Sequence, residues 1–396
     1  MGSLAKVVTP PYDVISPKGQ QGYYRKHPYN FIRVVFGKEY RSDSARNNRY
    51  TRAKETLERW ISEGILVQDK TPALYPHLQE YVIDGKRCRR WGLISLVRLD
   101  SRISPHEETR TKPKQDRIKL LQTVHASLSP IFGLIPDTGD RYRNAIQQAC
   151  RNRRPIASIR LDGVLHRLWR IDEPTWIRRF TRLLEKKELV IADGHHRLEA
   201  ALYVRNARRR TDPRFSLRSP YNYTMFFLAA AGEEEPGLLP THRVVHGGRR
   251  DRLHRMAAEA AGTMTVESVE DIPRLVHRLR QLRCVNQIGI GLYTGNGGGY
   301  LLRPASQGFH QLDVEWLHEE IVPEWIGPRA DISFTQDIRE GLRLLKTGRA
   351  KALFLTQPPS LQEVFNRARA SRRMPGKTTY FYPKPLAGLV EYKFEE

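Results

Sequence analysis

Cysteine is scarce in this sequence. The chain of 396 residues contains three cysteines, Cys88, Cys150 and Cys284, which are odd in number and lie far apart. This spacing matches neither a disulfide framework nor the paired ligands of a structural zinc site. The sequence therefore argues against a small disulfide-stabilised secreted protein, and it predicts a location in the reducing cytoplasm.

Long apolar runs are missing as well. The sequence has no run of about 18 apolar residues, which is the length that a membrane-spanning helix requires. Its start, MGSLAKVVTPPYDV, lacks the apolar stretch of a secretory signal. We therefore expect no membrane span and no membrane partner. With 39 % hydrophobic and 28 % charged residues, the composition is typical of a globular chain with a sizeable core.

Acidic residues are few in comparison with basic ones. The 43 Asp and Glu residues stand against 67 Lys and Arg residues, which gives a net charge of +24. Such a charge attracts nucleic acid, acidic membranes or anionic metabolites. The basic residues are dispersed, however, with short clusters only at 151–154, 207–210 and 248–255. The sequence shows no convincing helix-turn-helix pattern, so nucleic-acid binding is possible but not favoured.

The glycine-rich stretch YTGNGGGY at 293–300 lacks the features of a nucleotide-binding P-loop. A P-loop needs a Lys-Ser or Lys-Thr pair after its glycines and a helix directly behind them. Neither is present here. The stretch therefore predicts the turn of a β-hairpin.

Helical and strand-like patterns alternate along the chain. Asp84 and Gly85 separate two β-rich runs and predict a hairpin over 73–99, and the run NFIRVVFG at 30–37 predicts a strand. Apolar residues at helical spacing predict several helices, among them 44–66, 250–261 and 313–320.

The interleaving of these elements indicates an α/β or α+β fold built on a mixed sheet. The length of the chain is enough for two domains. We place the first at 1–245, where most of the polar motifs lie, and a second α+β region at 246–396.

The stretch VIADGHHRLEAAL at 190–202 is the densest group of chemically active residues. A buried-strand pattern ends at Asp193, Gly194 permits a tight turn, and the helical pattern behind it places His195, His196 and Arg197 in a first helical turn. The backbone N–H groups and the positive dipole end of such a turn bind anions. Basic side chains are unfavourable there, which indicates that a negative group such as a phosphate completes the site.

Two other interpretations of this stretch remain. Asp193 can be a plain helix cap, with the histidines as hydrogen-bonded packing residues. Asp193 can also hold a metal ion or direct a proton. Metal binding by His195 and His196 alone is disfavoured, because adjacent helical positions point about 100° apart.

A second polar segment, PHEETRTKPKQDR at 105–117, precedes the central motif. Loops with this density of polar groups often line functional sites. The alternative is a solvated loop in which Asp116 caps a helix. The candidate site residues in this segment are His106, Glu107, Thr109, Lys114 and Arg117.

Other polar residues follow or precede strand-like runs. Thr241, His242 and Arg243 lie in the run LLPTHRVV and are candidates for the same cleft. Tyr12 and Asp13 of TPPYDV fit a rigid turn or a buried polar pair at least as well as a substrate contact.

The Asp-Gly-His-His-Arg run and the upstream His-Glu of PHEET resemble the signature of free serine kinases in the ParB/sulfiredoxin-like superfamily. The chain also resembles, nearly end to end, a widespread bacterial family of unknown function. The resemblance includes VVTPPYDVIS, LSPIFGL, ADGHHRLEAAL and the closing RMPGKTTYFYPKPLAGLV. It implies a ParB/sulfiredoxin-like nucleotide-binding core with additional α+β elements.

The kinase resemblance implies transfer of a phosphoryl group from ATP or ADP to the hydroxyl of a free amino acid, serine or a related small molecule. Mg²⁺ is the expected ion, because phosphates and hard oxygen ligands suit it. The alternative is a ParB-like protein that binds or hydrolyses a nucleotide and acts on DNA or in regulation.

Together, the polar segments and the resemblance predict a site with four groups of residues. The catalytic group comprises Glu107 as general base, Asp193 and His196. The nucleotide-binding group comprises Gly194, His195, His196, Arg197, Lys114 and Arg117. The substrate-binding group comprises His106, Thr109, Thr241, His242 and Arg243, and Asp193 is the metal ligand.

Overall fold

The computed structural model describes residues 3–109, 111–232, 237–247, 264–295, 298–306, 312–327 and 330–394. The chain forms two compact units, Met1–Gly237 with Phe381–Glu396, and Leu238–Tyr380. The division expected from the sequence, 1–245 and 246–396, differs from these units in two places: residues 238–245 belong to the second unit, and the closing segment belongs to the first. The helix predicted at 250–261 lies outside the described residues.

The first unit is built on a mixed eight-stranded sheet. Its strands, with one outside that sheet (β4), are β1 (Tyr75–Ile83), β2 (Lys86–Arg98), β3 (Ile103–Ser104), β4 (Ala126–Ser127), β5 (Ile131–Pro136), β6 (Ala157–Leu161), β7 (Val164–Leu168), β8 (Leu189–Asp193) and β9 (Tyr223–Ala231). The order in the large sheet is β3-β8-β5-β9-β2-β1-β7-β6, in which β3 with β8 and β5 with β9 are the parallel pairs. The predicted mixed α+β fold is confirmed.

Helices cover this sheet and extend the unit. They are α1 (Pro17–Lys26), α2 (Ile32–Val35), α3 (Arg49–Ser62), α4 (Thr111–Val124), α5 (Arg141–Cys150), α6 (Pro174–Leu184) and α7 (His195–Thr211). Leu198, Ala201 and the central strand residues Phe226 and Leu228 share one buried apolar core. One face of α7 therefore anchors the helix on the sheet, and this fixes the position of its first turn.

Two local predictions in this unit have opposite outcomes. The hairpin over 73–99 is confirmed as β1 and β2, with Asp84 (φ 49°) and Gly85 (φ 77°) in its turn. The strand predicted at 30–37 is wrong, because that run forms the short helix α2. Three of the four residues of α2 are buried, namely Ile32, Val34 and Val35. Tertiary packing therefore decides the local conformation.

The second unit contains a six-stranded sheet whose neighbouring strands pair in an antiparallel manner. The strands, with one outside that sheet (β10), are β10 (Leu238–Leu239), β11 (His242–Val245), β12 (Met264–Val269), β13 (Ile290–Tyr293), β14 (Gly299–Pro304), β15 (Ile332–Thr335) and β16 (Ala352–Leu355). The sheet order is β12-β14-β13-β16-β11-β15. The chain returns to the first unit at β17 (Tyr380–Phe381), and β18 (Tyr392–Lys393) pairs with β4.

The helices of the second unit are α8 (Ile272–Cys284), α9 (Asp313–Trp316), α10 (Ile338–Lys346) and α11 (Leu361–Arg369). The hairpin predicted around 293–300 is confirmed as β13 and β14. The helix predicted at 313–320 is instead α9 followed by a π-helix, Leu317–Ile326. Pro323 lies inside the π-helix, where its missing N–H removes a regular helical hydrogen bond.

None of the helices that the structure describes is both long enough and apolar enough to cross a bilayer.

Candidate active site

The turn between β8 and α7 forms as the sequence predicts. Gly194 follows Asp193 with φ 95° and ψ 27°, a left-handed conformation that favours glycine. A Cβ atom at this position would lie 2.8 Å from Nε of Arg197, so glycine also lets the guanidinium fold back over the turn. The N-cap residue of α7 is Gly194 itself, which has no side chain to cap the first turn. The turn therefore keeps the character of an anion-binding helix end.

Arg197 finds its negative partner inside the protein. One Nη atom lies 2.5 Å from Oδ2 of Asp193, and the other donates to Oγ of Ser129 at 3.3 Å and to the carbonyl oxygen of Pro130. The sequence led us to expect a phosphate as the group that compensates the basic first turn. In the structure the Asp193 carboxylate is the negative partner of Arg197, and phosphate contact by Arg197 stays a prediction.

Lys384 brings a second cation to the same carboxylate. Its Nζ contacts Oδ1 of Asp193 and lies 2.9 Å from Oδ2 of Asp13. Asp13, Lys384, Asp193 and Arg197 thus form a line of alternating charges, which we call the Asp193 network. The Lys384 side chain is 6 % exposed, so the network is shielded from water. The sequence motifs did not point to Lys384, and they did not identify which residue pairs with Asp13.

His106 links the Asp193 turn to the segment that carries Glu107. Its buried ring packs edge-on against the ring of His195, with 4.8 Å between centroids, and its backbone N–H donates to Nε2 of His195 at 3.4 Å. Burial lowers the pKa of His106 and outweighs the opposing effects of Glu107 and Asp193. The negative charges of Glu107 and Asp193 both favour protonation of the His106 imidazole, but burial keeps it neutral.

Glu107 lies at the edge of this cluster. Its Oε1 is 3.9 Å from Nε2 of His106, and its side chain is 11 % exposed. The fold therefore brings the general base predicted from the sequence into the same cluster as Asp193 and His195.

Thr109 and Lys114 meet at a residue that sequence analysis did not single out. Oγ1 of Thr109 donates to Oε2 of Glu199 at 2.8 Å, and Nζ of Lys114 lies 3.4 Å from the same oxygen. Glu199 lies one helical turn after His195 on α7. In the sequence, the signal that could have identified Glu199 was its position one helical turn after His195.

Arg117 makes structural contacts. Its guanidinium binds Asp116, donates to the carbonyl oxygen of Val35 at 2.9 Å and lies 3.9 Å from the ring centroid of Tyr12. Burial raises the pKa of Tyr12 to about 12. Arg117 and Arg197 line a cavity of only about 50 Å³, which is far too small for a nucleotide. Nucleotide contact by Arg117 stays a prediction.

The remaining candidate residues divide between the units. His196 lies half-buried in the first turn of α7, and its role stays a prediction. Thr241, His242 and Arg243 are buried in the second unit. Nδ1 of His242 accepts the N–H of Thr356 at 3.3 Å.

Arg243 contacts two side chains of the second unit. Its Nε donates to Nε2 of His318 at 3.3 Å, and its guanidinium lies 5.5 Å from the ring centroid of Phe334. Burial lowers the pKa of His242 to about 4, which keeps this histidine neutral. Substrate contact by these residues stays a prediction.

The described residues do not fit a resident Mg²⁺ ion. They contain no group of three His, Cys, Asp or Glu side chains that could hold a metal ion. Both oxygens of Asp193, the predicted ligand, are engaged by Arg197 and Lys384. No step of the chemistry is therefore assigned to a protein-bound metal.

Residues 1–319 match the family described as "Protein of unknown function (DUF1015)". This chain belongs to that family. The match confirms the resemblance to a family of unknown function that the motifs indicated. No curated protein matches the DUF1015 chain.

Three solved structures are similar to parts of this DUF1015 protein. A free serine kinase in complex with AMP has 13 % identity and a TM-score of 0.40, over 76 % of this chain and 91 % of its own. A conserved hypothetical protein from Pyrococcus furiosus has 14 % identity and a TM-score of 0.38, over 76 % and 95 %. SbnI with a C-terminal truncation, from Staphylococcus aureus, has 12 % identity and a TM-score of 0.39, over 74 % and 85 %. Likeness at this level says nothing about the site.

Proposed function

We propose that this DUF1015 protein is a nucleotide-dependent kinase that phosphorylates the hydroxyl of a free amino acid, serine or a related compound. One observation carries the proposal: Glu107 and the glycine-led first turn of α7 meet at His106 and His195. Phosphoryl transfer needs an anion-binding surface and a carboxylate that accepts the proton of the hydroxyl. This cluster offers both within one unit.

The nucleotide phosphates bind at the first turn of α7, in ATP or in ADP. Backbone N–H groups at a helix end and the positive helix dipole stabilise phosphate oxygens. Gly194 leaves no side chain at the turn, and His195 and His196 flank it. The backbone thus supplies the main phosphate contacts, while Arg197 holds the turn through Asp193.

Glu107 is the general base of the proposed reaction. The acceptor hydroxyl oxygen forms a bond to the terminal phosphorus, and the bond from that phosphorus to the bridging oxygen breaks. The shortened nucleotide leaves with the electron pair, and the proton of the hydroxyl goes to the Glu107 carboxylate. The neutral His106 beside Glu107 adds no positive charge that would stabilise the ionised base against accepting the proton.

The Asp193 network has a positioning role. Lys384 and Arg197 fix the carboxylate from two sides, and the carboxylate in turn holds the guanidinium over Gly194. Asp193 accordingly orients the turn without contacting the substrate.

Product formation in solution tests the proposal. The purified full-length protein is incubated with Mg²⁺, with ATP or ADP, and with serine, threonine and homoserine in turn, and phosphorus NMR follows the products. We expect a phosphorylated amino acid, and we expect Glu107→Gln to slow its formation about 10²-fold or more, because the base is lost.

Glu108→Gln is the matched control, since it makes the same change at the exposed neighbouring residue. It should retain the parent rate. Folded protein that forms no phosphorylated product with any acceptor, or a Glu107→Gln variant as active as Glu108→Gln, would refute the kinase mechanism.

A further inference from the structure

A groove lies between α4 and α7, next to the proposed site. Its volume is about 610 Å³, within the range of small-molecule pockets. Apolar side chains line part of it, and polar ones line the rest. The lining residues that matter here are Lys114, Ile118, Glu199, Leu202 and Tyr203.

Opposite charges lie side by side in this groove. Nζ of Lys114 is 3.4 Å from Oε2 of Glu199, and the two side chains are 38 % and 24 % exposed. An ion pair with this exposure contributes little to stability, so a ligand can separate its partners at small cost. Thr109 holds the Glu199 carboxylate in place through a hydrogen bond of 2.8 Å.

We propose that this groove binds a free α-amino acid by its zwitterionic head group. The Glu199 carboxylate accepts hydrogen bonds from the α-ammonium group, and the Lys114 ammonium binds the α-carboxylate. Charge-assisted hydrogen bonds of this kind are the strong ones in proteins. Ile118, Leu202 and Tyr203 cover the remainder of the ligand.

Charge also decides against other small ligands. A nucleotide phosphate would meet the Glu199 carboxylate as a like charge, and a simple amine would meet the Lys114 ammonium in the same way. A zwitterion satisfies both groups at once. The inference rests on the proposed function, because it identifies the binding site of the kinase's acceptor. The groove is linked to the proposed site through both of its segments: Thr109 lies close to Glu107 in the chain, and Glu199 lies one helical turn from His195.

Calorimetric titration of the full-length protein without nucleotide tests this site. The ligands are L-serine, ethanolamine, which lacks the carboxylate, and 3-hydroxypropanoate, which lacks the ammonium group. We expect each of the two analogues to bind about tenfold more weakly than L-serine, or worse, because one charged contact is lost.

The variants separate recognition of the ligand from a structural role. Lys114→Gln should weaken L-serine about tenfold and leave ethanolamine unchanged, whereas Glu199→Gln should weaken L-serine and leave 3-hydroxypropanoate unchanged. Lys112→Gln removes an exposed lysine from α4 outside the groove lining and should change nothing. A structural role of the pair would weaken all three ligands alike.

Two results would overturn the assignment. One is that folded protein binds none of L-serine, L-threonine and L-homoserine. The other is that both groove variants bind L-serine as the parent does. The kinase mechanism is tested separately. If L-serine binding depends on Lys114 and Glu199 but no phosphorylated product forms, the groove assignment stands and the kinase mechanism fails. If product forms but L-serine binding does not depend on these two residues, the kinase mechanism stands and the groove assignment fails.

Discussion

Lys384 is the residue on which the charge balance of the Asp193 network depends. It lies between the carboxylates of Asp13 and Asp193, whose side chains are 21 % and 12 % exposed. Carboxylates so poorly solvated need a cation nearby, and losing one partner of a buried ion pair costs far more than the pair itself contributes. Without Lys384, Asp193 keeps the guanidinium of Arg197, whereas Asp13 loses its ion pair with the Lys384 ammonium.

Lys384→Met should therefore destabilise the protein by about 3 kcal/mol, since it removes the charge and keeps the apolar stem. Urea unfolding at neutral pH measures this change. Lys393→Met, at an exposed position of β18, is the matched control and should stay within about 0.5 kcal/mol of the parent. Equal unfolding free energies for the two variants would show that the network does not contribute to stability.

The same residues show where sequence analysis succeeded and where it could not. The Gly194 turn was predictable because its signals, a strand end, a glycine and a helical pattern, lie within a few residues of one another. Lys384 was not, because it lies in an extended apolar stretch and meets Asp13 across a separation of 371 positions. A single sequence carries no signal for such pairing beyond a charge among apolar neighbours.

At the scale of elements, local signals succeed when the conformation is decided locally. The turn of Asp84 and Gly85 needs positive φ angles, which these residue types tolerate, so the β1–β2 hairpin was predictable. Three of the four residues of α2, Ile32, Val34 and Val35, are β-branched and favour strands on their own. The helix packs with α3 and α4 residues in one buried cluster, and this tertiary burial was not visible in the sequence.

Strands β1 and β7 enclose a pair of histidines that makes stability depend on pH. Nε2 of His77 lies 3.1 Å from Nδ1 of His166, and both rings are buried. Burial lowers the pKa of His166 from 6.5 to about 4, and it holds the pKa of His77 well below 6.5, with smaller effects of His166 and Arg90. Both imidazoles are therefore neutral in the folded protein.

The free energy of unfolding should accordingly fall as the pH falls from about 6.5 to about 4. In that window His77 and His166 take up protons in the unfolded chain but stay neutral in the folded protein, so acid favours unfolding. His166→Gln should reduce the loss between pH 7 and pH 5 by about 2 kcal/mol, as follows from its pKa shift. Denaturant unfolding at both pH values measures the difference.

His277→Gln, at an exposed position of α8, is the control for this measurement and should keep the pH dependence of the parent. If His166→Gln loses as much stability in acid as His277→Gln does, the buried pair is not the source of the effect.

At the scale of the whole molecule, the net charge of +24 is the property that still favours the DNA-binding alternative. Some of the basic residues that the structure describes stabilise a helix. Arg208, Arg209 and Arg210 form the last turn of α7, where cations stabilise the negative end of the helix dipole. The basic cluster at 248–255 lies outside the described residues.

Charge alone and a nucleotide-switched DNA site differ in their response to salt and nucleotide. Charge alone predicts that affinity for a duplex of arbitrary sequence falls about 10³-fold or more between about 50 and 200 mM salt, as counterion release requires. It also predicts no change on adding ATP or ADP, because a dispersed positive surface does not distinguish nucleotide states. Fluorescence anisotropy across that salt range, with and without nucleotide, measures both quantities. Affinity that persists at the higher salt and changes with nucleotide would favour the ParB-like alternative over the kinase, since binding would then depend on a specific site that the nucleotide remodels.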